Sequence, residues 1–238
     1  MDLDSLLISR DAALLGVLRP TLEKMSVKVE VCSGAQTGNE LLNKRKFDAV
    51  IVDCDDLPGG IEMLNGLRKT QSNASSVAFA VVNGKTSTRD AFQLGANFVL
   101  QKPLTPVHAS RCFNAAISFM VRERRRYFRH PVEIPIRISL KEGQDVSATT
   151  TNISEGGMAI RLTAAKVQKD TEVKLQFGLP GTGSSLEVKA KVAWSDEGHA
   201  GIKFIDVPQS SQYQLDKWLT DRLQKEVSPN LQGYVSAQ

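Results

Sequence analysis

Two short, almost wholly apolar runs constrain the fold of the first half of the chain: DAVIVD (48–53) and VAFAVV (77–82). Such runs are typical of strands that are buried on both faces, as in a parallel sheet. Three further strands are predicted at SLLIS (5–9), VKVEV (27–31) and NFVL (97–100), with helical patterns between them. Five strand-and-helix pairs in succession predict an α/β, flavodoxin-like domain with five parallel strands over residues 1–121.

The pattern changes after Pro131. VEIPIRISL (132–140) alternates apolar and polar residues with period two, which indicates a half-buried strand, and Pro135 favours an edge or a bulge. Five more strands are predicted near 145–152, 157–162, 171–179, 185–195 and 199–205, separated by KEGQ, EGG, PGTGSS and DEGH. This spacing predicts a six-stranded antiparallel β-barrel. A C-terminal helix with a capping box of Ser211 and Gln214 follows, and we expect residues 228–238 to form a flexible tail.

Composition argues against several classes of protein. The three cysteines show no metal-ligand spacing, and the three histidines have no evident nucleophile or carboxylate partner, so we expect no metal, no cofactor and no enzymatic activity. The acidic start of the chain is unlike a signal peptide, and no apolar run approaches the ~18 residues of a membrane span. These features predict a cytoplasmic protein without a membrane partner.

Two short segments carry the functional signal of the second half. RERRRYFRH (122–130) holds five arginines in nine residues. Alone, it is typical of a solvated helix end, where the macrodipole favours cations. TNISEGGMAI (151–160) contains N-x-S-x-x-G, and alone it is typical of a turn in which the glycine pair adopts positive φ.

Together, the two segments resemble the signatures of the PilZ domain, the bacterial receptor module for cyclic di-GMP, over about residues 122–227. The arginine motif RRxxxR and the motif [D/N]xSxxG are matched, in order, by Arg124, Arg125 and Arg129 and by Asn152, Ser154 and Gly157. AWSDEGHAGIKFID (193–206) is similar to the closing strands of that family. The resemblance implies that these six residues bind cyclic di-GMP, that residues 122–131 form an arginine-rich interdomain linker before a barrel domain at 132–227, and that the extra arginine favours two ligand molecules.

The chemistry of these residue types agrees with a guanine ligand. A guanine edge presents two adjacent acceptors, O6 and N7, which a guanidinium matches with two hydrogen bonds worth about 1–3 kcal/mol. Asn152 offers an amide for the guanine edge, and the Ser154 hydroxyl can reach a guanine or a phosphate.

A second resemblance covers about residues 3–121. FDAVIVDCDDLPGG and LGANFVLQKPL are similar to the third and fifth strands of a response-regulator receiver domain, which implies that Asp53 is the possible phospho-acceptor and Lys102 the phosphate-sensing lysine. Ser9 and Arg10 stand where the family has its magnesium-binding acidic pair, and 81–83 lacks the switch threonine or serine. We therefore expect a pseudo-receiver that serves as a platform for an unidentified protein partner, although Asp55 and Asp56 could replace lost ligands.

These observations predict a cyclic di-GMP-binding effector or adaptor that changes its domain arrangement or its partner binding when it captures ligand. Two alternatives remain. One is a response regulator phosphorylated at Asp53 with a PilZ output domain. The other is a nucleic-acid-binding protein, which would use the arginines on phosphates and would tolerate Arg→Lys changes.

Overall fold

The computed structural model describes residues 2–140, 145–163 and 167–236, so the predicted KEGQ turn (141–144) lies outside the described residues. The chain divides into two compact units. Unit 1 comprises Met1–Arg124 together with Glu226–Gln238, and unit 2 comprises Arg125–Lys225. Among the described residues, no helix is both long and apolar enough to cross a membrane.

Unit 1 is a parallel α/β sheet, as the sequence predicts. Its described strands have the order β2-β1-β3-β4-β5, and all the pairings are parallel. In chain order, the elements are β1 (Leu3–Ile8), α1 (Ala12–Lys24), β2 (Val27–Cys32), α2 (Ala35–Lys44), β3 (Ala49–Asp53), α3 (Gly60–Leu67), β4 (Val77–Val82), α4 (Thr88–Gln93), β5 (Phe98–Gln101) and α5 (Pro106–Tyr127). Every residue of β3 and β4 is buried, because helices cover both faces of the sheet. The carboxyl ends of β1 and β3 are adjacent, which places polar residues of both at one edge.

Helix α5 continues through most of the arginine cluster. It ends at Tyr127, so the first part of the segment predicted as an interdomain linker (122–131) belongs to this helix. The boundary between the two units falls within this helix, between Arg124 and Arg125.

The prediction of a flexible tail is wrong for Pro229–Ser236, which form a short helix in unit 1. Its Leu231 and Val235 are buried, and Ser228 and Asn230 hydrogen-bond to Asp2 and Ser26. The apolar residues of PNLQGYVS are few, but they are four residues apart and therefore lie on one face of a helix.

Unit 2 is a closed antiparallel barrel, as predicted. In its described part, six strands form the ring β8-β7-β10-β11-β12-β9, and pairing of β8 with β9 closes it. The elements are β6 (His130–Pro131), β7 (Pro135–Leu140), β8 (Asp145–Ser154), β9 (Gly157–Leu162), β10 (Glu172–Gly178), β11 (Ser185–Asp196), β12 (His199–Asp206) and helix α6 (Gln209–Glu226), and the short helix of unit 1 is then α7 (Pro229–Ser236). Leu215, Trp218 and Leu219 of α6 join the core of the barrel.

The strand predicted at 132–140 begins only at Pro135, as β7. A separate short strand, β6, precedes it and pairs with the end of β8. Thr150 bridges the interruption between β6 and β7, because its hydroxyl donates to the Val132 carbonyl (2.6 Å) and accepts from the Ile134 N–H (2.9 Å). Helix α6 begins at Gln209, so the predicted capping box is wrong and Ser211 lies inside the first turn.

Candidate functional site

The two signature segments of unit 2 lie on neighbouring strands. In the β6–β8 ladder, His130 is opposite Ile153 and Pro131 is opposite Asn152. The same register places Arg129 beside Ser154. Since Ile153 is fully buried in the core, alternation directs Asn152 and Ser154 to the other face of the strand, which Arg129 and Pro131 share. The structure thus brings the arginine segment and the N-x-S-x-x-G hairpin together on one outer face of the barrel.

Aromatic packing fixes the direction of the Arg129 side chain. Phe128 is buried, and the His130 ring lies 6.0 Å from the Phe128 ring and 5.2 Å from the Trp218 ring of α6. Because its two neighbours are anchored, Arg129 is exposed on the opposite side. Its side chain forms no hydrogen bond or ion pair with any described residue, which leaves the guanidinium available for a ligand.

Arg125 approaches the same hairpin from helix α5. Its Nε atom is 3.8 Å from Glu155 Oε2, an ion pair too long for a strong hydrogen bond. Glu155 Oε2 is buried and has no hydrogen-bond partner within the described ranges. This loose pairing holds the Arg125 guanidinium at the hairpin without satisfying it.

Asn152 carries an unsatisfied acceptor at the centre of this face. Its Oδ1 atom is buried and no described residue donates a hydrogen bond to it. An unsatisfied buried acceptor costs about 1–3 kcal/mol, so a donor on a ligand would be favoured here. The neighbouring Ser154 hydroxyl donates to the Gly157 carbonyl (3.0 Å), and its oxygen retains acceptor capacity.

The glycine pair has a different role from the one expected. Neither Gly156 nor Gly157 has a positive φ, so the prediction of a left-handed turn is wrong. A Cβ atom on Gly157 would lie 2.1 Å from the Ile202 carbonyl oxygen, whereas one on Gly156 would meet nothing within 4 Å. Gly157 is therefore required by the close approach of β9 and β12.

Trp194 is an exposed aromatic residue of the barrel wall that was not predicted as a site residue from the sequence. Across the ladders, Asn152 is opposite Ala159, Ala159 is opposite Gly201, and Gly201 is opposite Trp194. The Trp194 ring lies over Gly201 and is 47% exposed. In the closed ring of six strands, β8 and β11 are three strands apart, so Trp194 is half a turn around the barrel from Asn152. A bulky aromatic opposite a glycine across a hairpin was the available sequence signal.

Arg124, the sixth predicted ligand residue, lies in unit 1. Its guanidinium contacts Asp48 (2.7 Å) and Asp4 (2.8 Å) and donates to the Asp2 carbonyl (3.0 Å). Burial raises the pKa of Asp48 to about 6, although Arg124 acts in the opposite direction. Successive residues of a helix point about 100° apart, so Arg124 and Arg125 face different surroundings. The role of Arg124 in ligand binding stays a prediction, and within unit 1 its guanidinium is engaged by Asp48 and Asp4.

A second polar site lies at the carboxyl edge of the sheet in unit 1. Asp53 is buried, and its Oδ2 atom accepts hydrogen bonds from the Ser9 hydroxyl (2.7 Å) and from Lys102 Nζ (3.0 Å). The Lys102 ammonium also donates to Asp11 (2.9 Å) and Asp56 (2.8 Å). Burial alone would lower the pKa of Lys102, but the three hydrogen bonds outweigh it and raise that pKa. The Asp53 Oδ1 atom is buried and has no partner in the described part of the chain.

The receiver resemblance implies a magnesium ion at this edge, but the residues do not fit one in this arrangement. Asp11, Asp53 and Asp56 each offer an oxygen within 4.8 Å of the others, and carboxylates suit magnesium. The same three carboxylates already hold Lys102. A divalent ion about 4 Å from that ammonium would be repelled by about 8 kcal/mol at an effective dielectric constant of about 20. Arg10, which the sequence placed in the metal site, instead donates to the Ser33 carbonyl (2.6 Å).

The fold and these sites define a two-domain signalling protein. Residues 6–110 match the response regulator receiver domain model, and residues 123–221 match the PilZ domain model. The chain therefore carries a receiver domain followed by a PilZ domain. A search of the curated proteins gave no match.

Several solved structures are similar to one unit or the other. The receiver domain of the sensor histidine kinase PA1611 from Pseudomonas aeruginosa PAO1 is 18% identical and covers 48% of this chain and 97% of its own, with a TM-score of 0.43. The chemotaxis response regulator CheY4 of Vibrio cholerae is 16% identical, over 48% and 98% of the two chains, with a TM-score of 0.45. The PilZ domain of CeSA from a cellulose-synthesizing bacterium is 20% identical, over 40% and 98%, with a TM-score of 0.35.

Proposed function

We propose that unit 2 binds cyclic di-GMP on the outer face of its barrel. The observation that carries this proposal is the β6–β8 register, which pairs Pro131 with Asn152 and, continued by one residue, would put Arg129 opposite Ser154. The Oδ1 atom of Asn152 on the same strand has no hydrogen-bond partner among the described residues. Arg125 stands at the same hairpin through its loose ion pair with Glu155. Guanidinium groups and an amide acceptor are then available on one surface. A guanine nucleotide offers acceptors on its base and phosphates for the first and N–H donors for the second.

Each group has a chemical counterpart in the ligand. A guanine displays N–H donors on one edge and the O6 and N7 acceptors on another. The first edge would satisfy Asn152 Oδ1, and the second would accept two hydrogen bonds from Arg129. The ligand phosphate would compete with Glu155 for Arg125.

Because Arg124 is engaged by Asp48 and Asp4, we expect one ligand molecule per chain rather than the two that RRxxxR implies.

Calorimetric titration of the full chain with cyclic di-GMP tests the proposal. Arg129→Lys keeps the charge but loses the planar fork, so its affinity should fall about 5- to 150-fold, which corresponds to 1–3 kcal/mol. The matched control is Arg137→Lys, an exposed arginine of β7 whose nearest acid is Asp145 at 3.9 Å, and its affinity should stay within about twofold. Unchanged binding by Arg129→Lys, or no heat with the wild type at tens of micromolar ligand, would overturn the proposal.

A salt series separates this function from the nucleic-acid alternative. A protein that uses its arginines only on phosphates loses affinity steeply with salt and accepts lysine in their place. For cyclic di-GMP we expect a shallow salt dependence and no competition from single-stranded DNA at equal nucleotide concentration.

The output of ligand binding is proposed to be a change in partner binding. Residues 125–129 include the last turn of α5, a helix that begins in unit 1, so capture of Arg125 and Arg129 would act at the end of an element of the receiver domain. X-ray scattering of the free and saturated chain tests for a rearrangement, and superimposable curves would contradict it.

A further inference from the structure

We propose that two side chains of the receiver domain occupy the positions of a metal ion and a bound anion: the Lys102 ammonium fills the acidic site, and the Asp55 carboxylate fills the ring of N–H groups in the β4–α4 loop. This proposal concerns unit 1 alone and does not depend on cyclic di-GMP binding. The receiver resemblance implies a magnesium ion and a phosphoryl group, and the proposal puts the Lys102 and Asp55 side chains in place of these two species.

The cation position is filled by a fully satisfied ammonium. Lys102 Nζ has three N–H groups, and they reach one oxygen each of Asp56 (2.8 Å), Asp11 (2.9 Å) and Asp53 (3.0 Å). The Lys102 side chain is only 13% exposed. Since each of the three donors has a carboxyl oxygen within hydrogen-bond distance, the ammonium is fully hydrogen-bonded in the site.

The three carboxylates are also held by other groups. Asp11 caps α1 by accepting from the backbone N–H groups of Ala13 and Leu14. The second oxygen of Asp56 accepts from the Asn83 amide (2.6 Å). A metal ion would have to displace Lys102 from oxygens whose positions are fixed by the first turn of a helix and by a neighbouring loop.

The anion position is filled by Asp55. Its carboxylate accepts from the backbone N–H groups of Asn83 (2.7 Å), Lys85 (3.1 Å) and Thr86 (3.1 Å), and from the Thr86 hydroxyl (2.5 Å). Burial alone would raise the pKa of Asp55, but these hydrogen bonds lower it. Converging backbone N–H groups are a typical site for an anion. Here the anion belongs to the loop after β3, and it holds the loop between β4 and α4 closed.

The cation part of the proposal predicts a gain of binding. Lys102→Met removes the ammonium and leaves three carboxylates within 4.8 Å of one another. Electron paramagnetic resonance measures the concentration of free manganese, and bound manganese follows by difference. At about 1 mM manganese, the concentration at which even weak protein sites bind cations, we expect the wild type to bind no ion. Lys102→Met should bind one manganese ion at least tenfold more tightly than the wild type. Lys85→Met is the matched control, because Lys85 contacts Asp56 from the exposed side (3.5 Å), and it should behave as the wild type does.

Two results would overturn the proposal. One is a wild-type protein that binds one equivalent of manganese, and the other is a folded Lys102→Met protein that gains none. If Lys102→Met fails to fold, the proposal can still be tested on the wild type by incubation with a phosphodonor. Incubation with acetyl phosphate and magnesium should leave its intact mass unchanged, whereas addition of one phosphoryl group at Asp53 would show that the site is open.

Discussion

Replacement of Gly157 by alanine separates the structural role of this residue from a ligand-binding role. The new Cβ atom would lie 2.1 Å from the Ile202 carbonyl oxygen, about 1.3 Å short of an ordinary contact. Both are part of the β9–β12 ladder, so the strands must separate near the Gly157–Lys203 pair. Overpacking costs about 1–3 kcal/mol and one weakened ladder hydrogen bond about 0.5–1.5 kcal/mol, which gives about 1.5–4.5 kcal/mol in total. For a unit of about 100 residues, the melting temperature should fall by at least about 6 °C.

The assay can follow unit 2 alone. The chain contains two tryptophans, Trp194 and Trp218, and both lie in the barrel unit, so tryptophan fluorescence reports its unfolding. Gly156→Ala is the matched control, because its Cβ meets nothing within 4 Å and its φ is not positive. We expect the control to change the stability by less than about 1 kcal/mol. Equal, small shifts for both variants would refute the packing argument, and a stable Gly157→Ala protein that loses only ligand binding would assign Gly157 to the ligand.

Three further predictions follow from buried polar groups. Asn152→Ala removes an unsatisfied acceptor, so the free protein should be as stable as the wild type or more stable while its affinity for cyclic di-GMP falls at least about fivefold; a calorimetric loss above 1 kcal/mol in the free protein would contradict this. Burial raises the pKa of Asp48 from its ordinary value near 4 to about 6, so the stability that Asp48 contributes is fully present below about pH 4 and is lost as the pH rises through 6. Asp48→Asn should therefore gain stability relative to the wild type across this window, and parallel denaturation curves at all pH values would refute the burial effect. Asp55→Ala should speed amide hydrogen exchange at 83–86 at least about tenfold, because these N–H groups lose a charged acceptor, and unchanged protection would show that Asp55 does not hold the loop.

The central strands of unit 1 could be predicted because strands that are buried on both faces consist of continuous apolar runs. DAVIVD and VAFAVV have no exposed face, so every side chain between the ends of these runs is apolar. The interruption after Pro131 could not be predicted in the same way. It depends on one hydroxyl, that of Thr150, which satisfies backbone groups 16 to 18 residues earlier in the chain.

The motif residues of the candidate site are local in sequence, and their role in ligand binding stays a prediction. One ladder pairs Pro131 with Asn152 and so brings the end of the arginine segment to the N-x-S-x-x-G strand. Arg124 was assigned to the ligand through the RRxxxR resemblance, whereas in the structure its guanidinium contacts Asp48 and Asp4. Successive residues of a helix point about 100° apart, so a motif that lists adjacent arginines does not show that both face the same surroundings.

Because helix α7 belongs to unit 1, the first and the last described segments of the chain both lie in that unit. Any fragment of the receiver domain that stops at residue 124 would uncover the apolar surface that Leu231 and Val235 bury, and would tend to aggregate. It follows too that a single protease cut near residue 124 cannot release the barrel, because the stretch from Glu226 to Ser236 still anchors it through Asp2 and Ser26. Two cuts are needed to liberate a soluble barrel fragment.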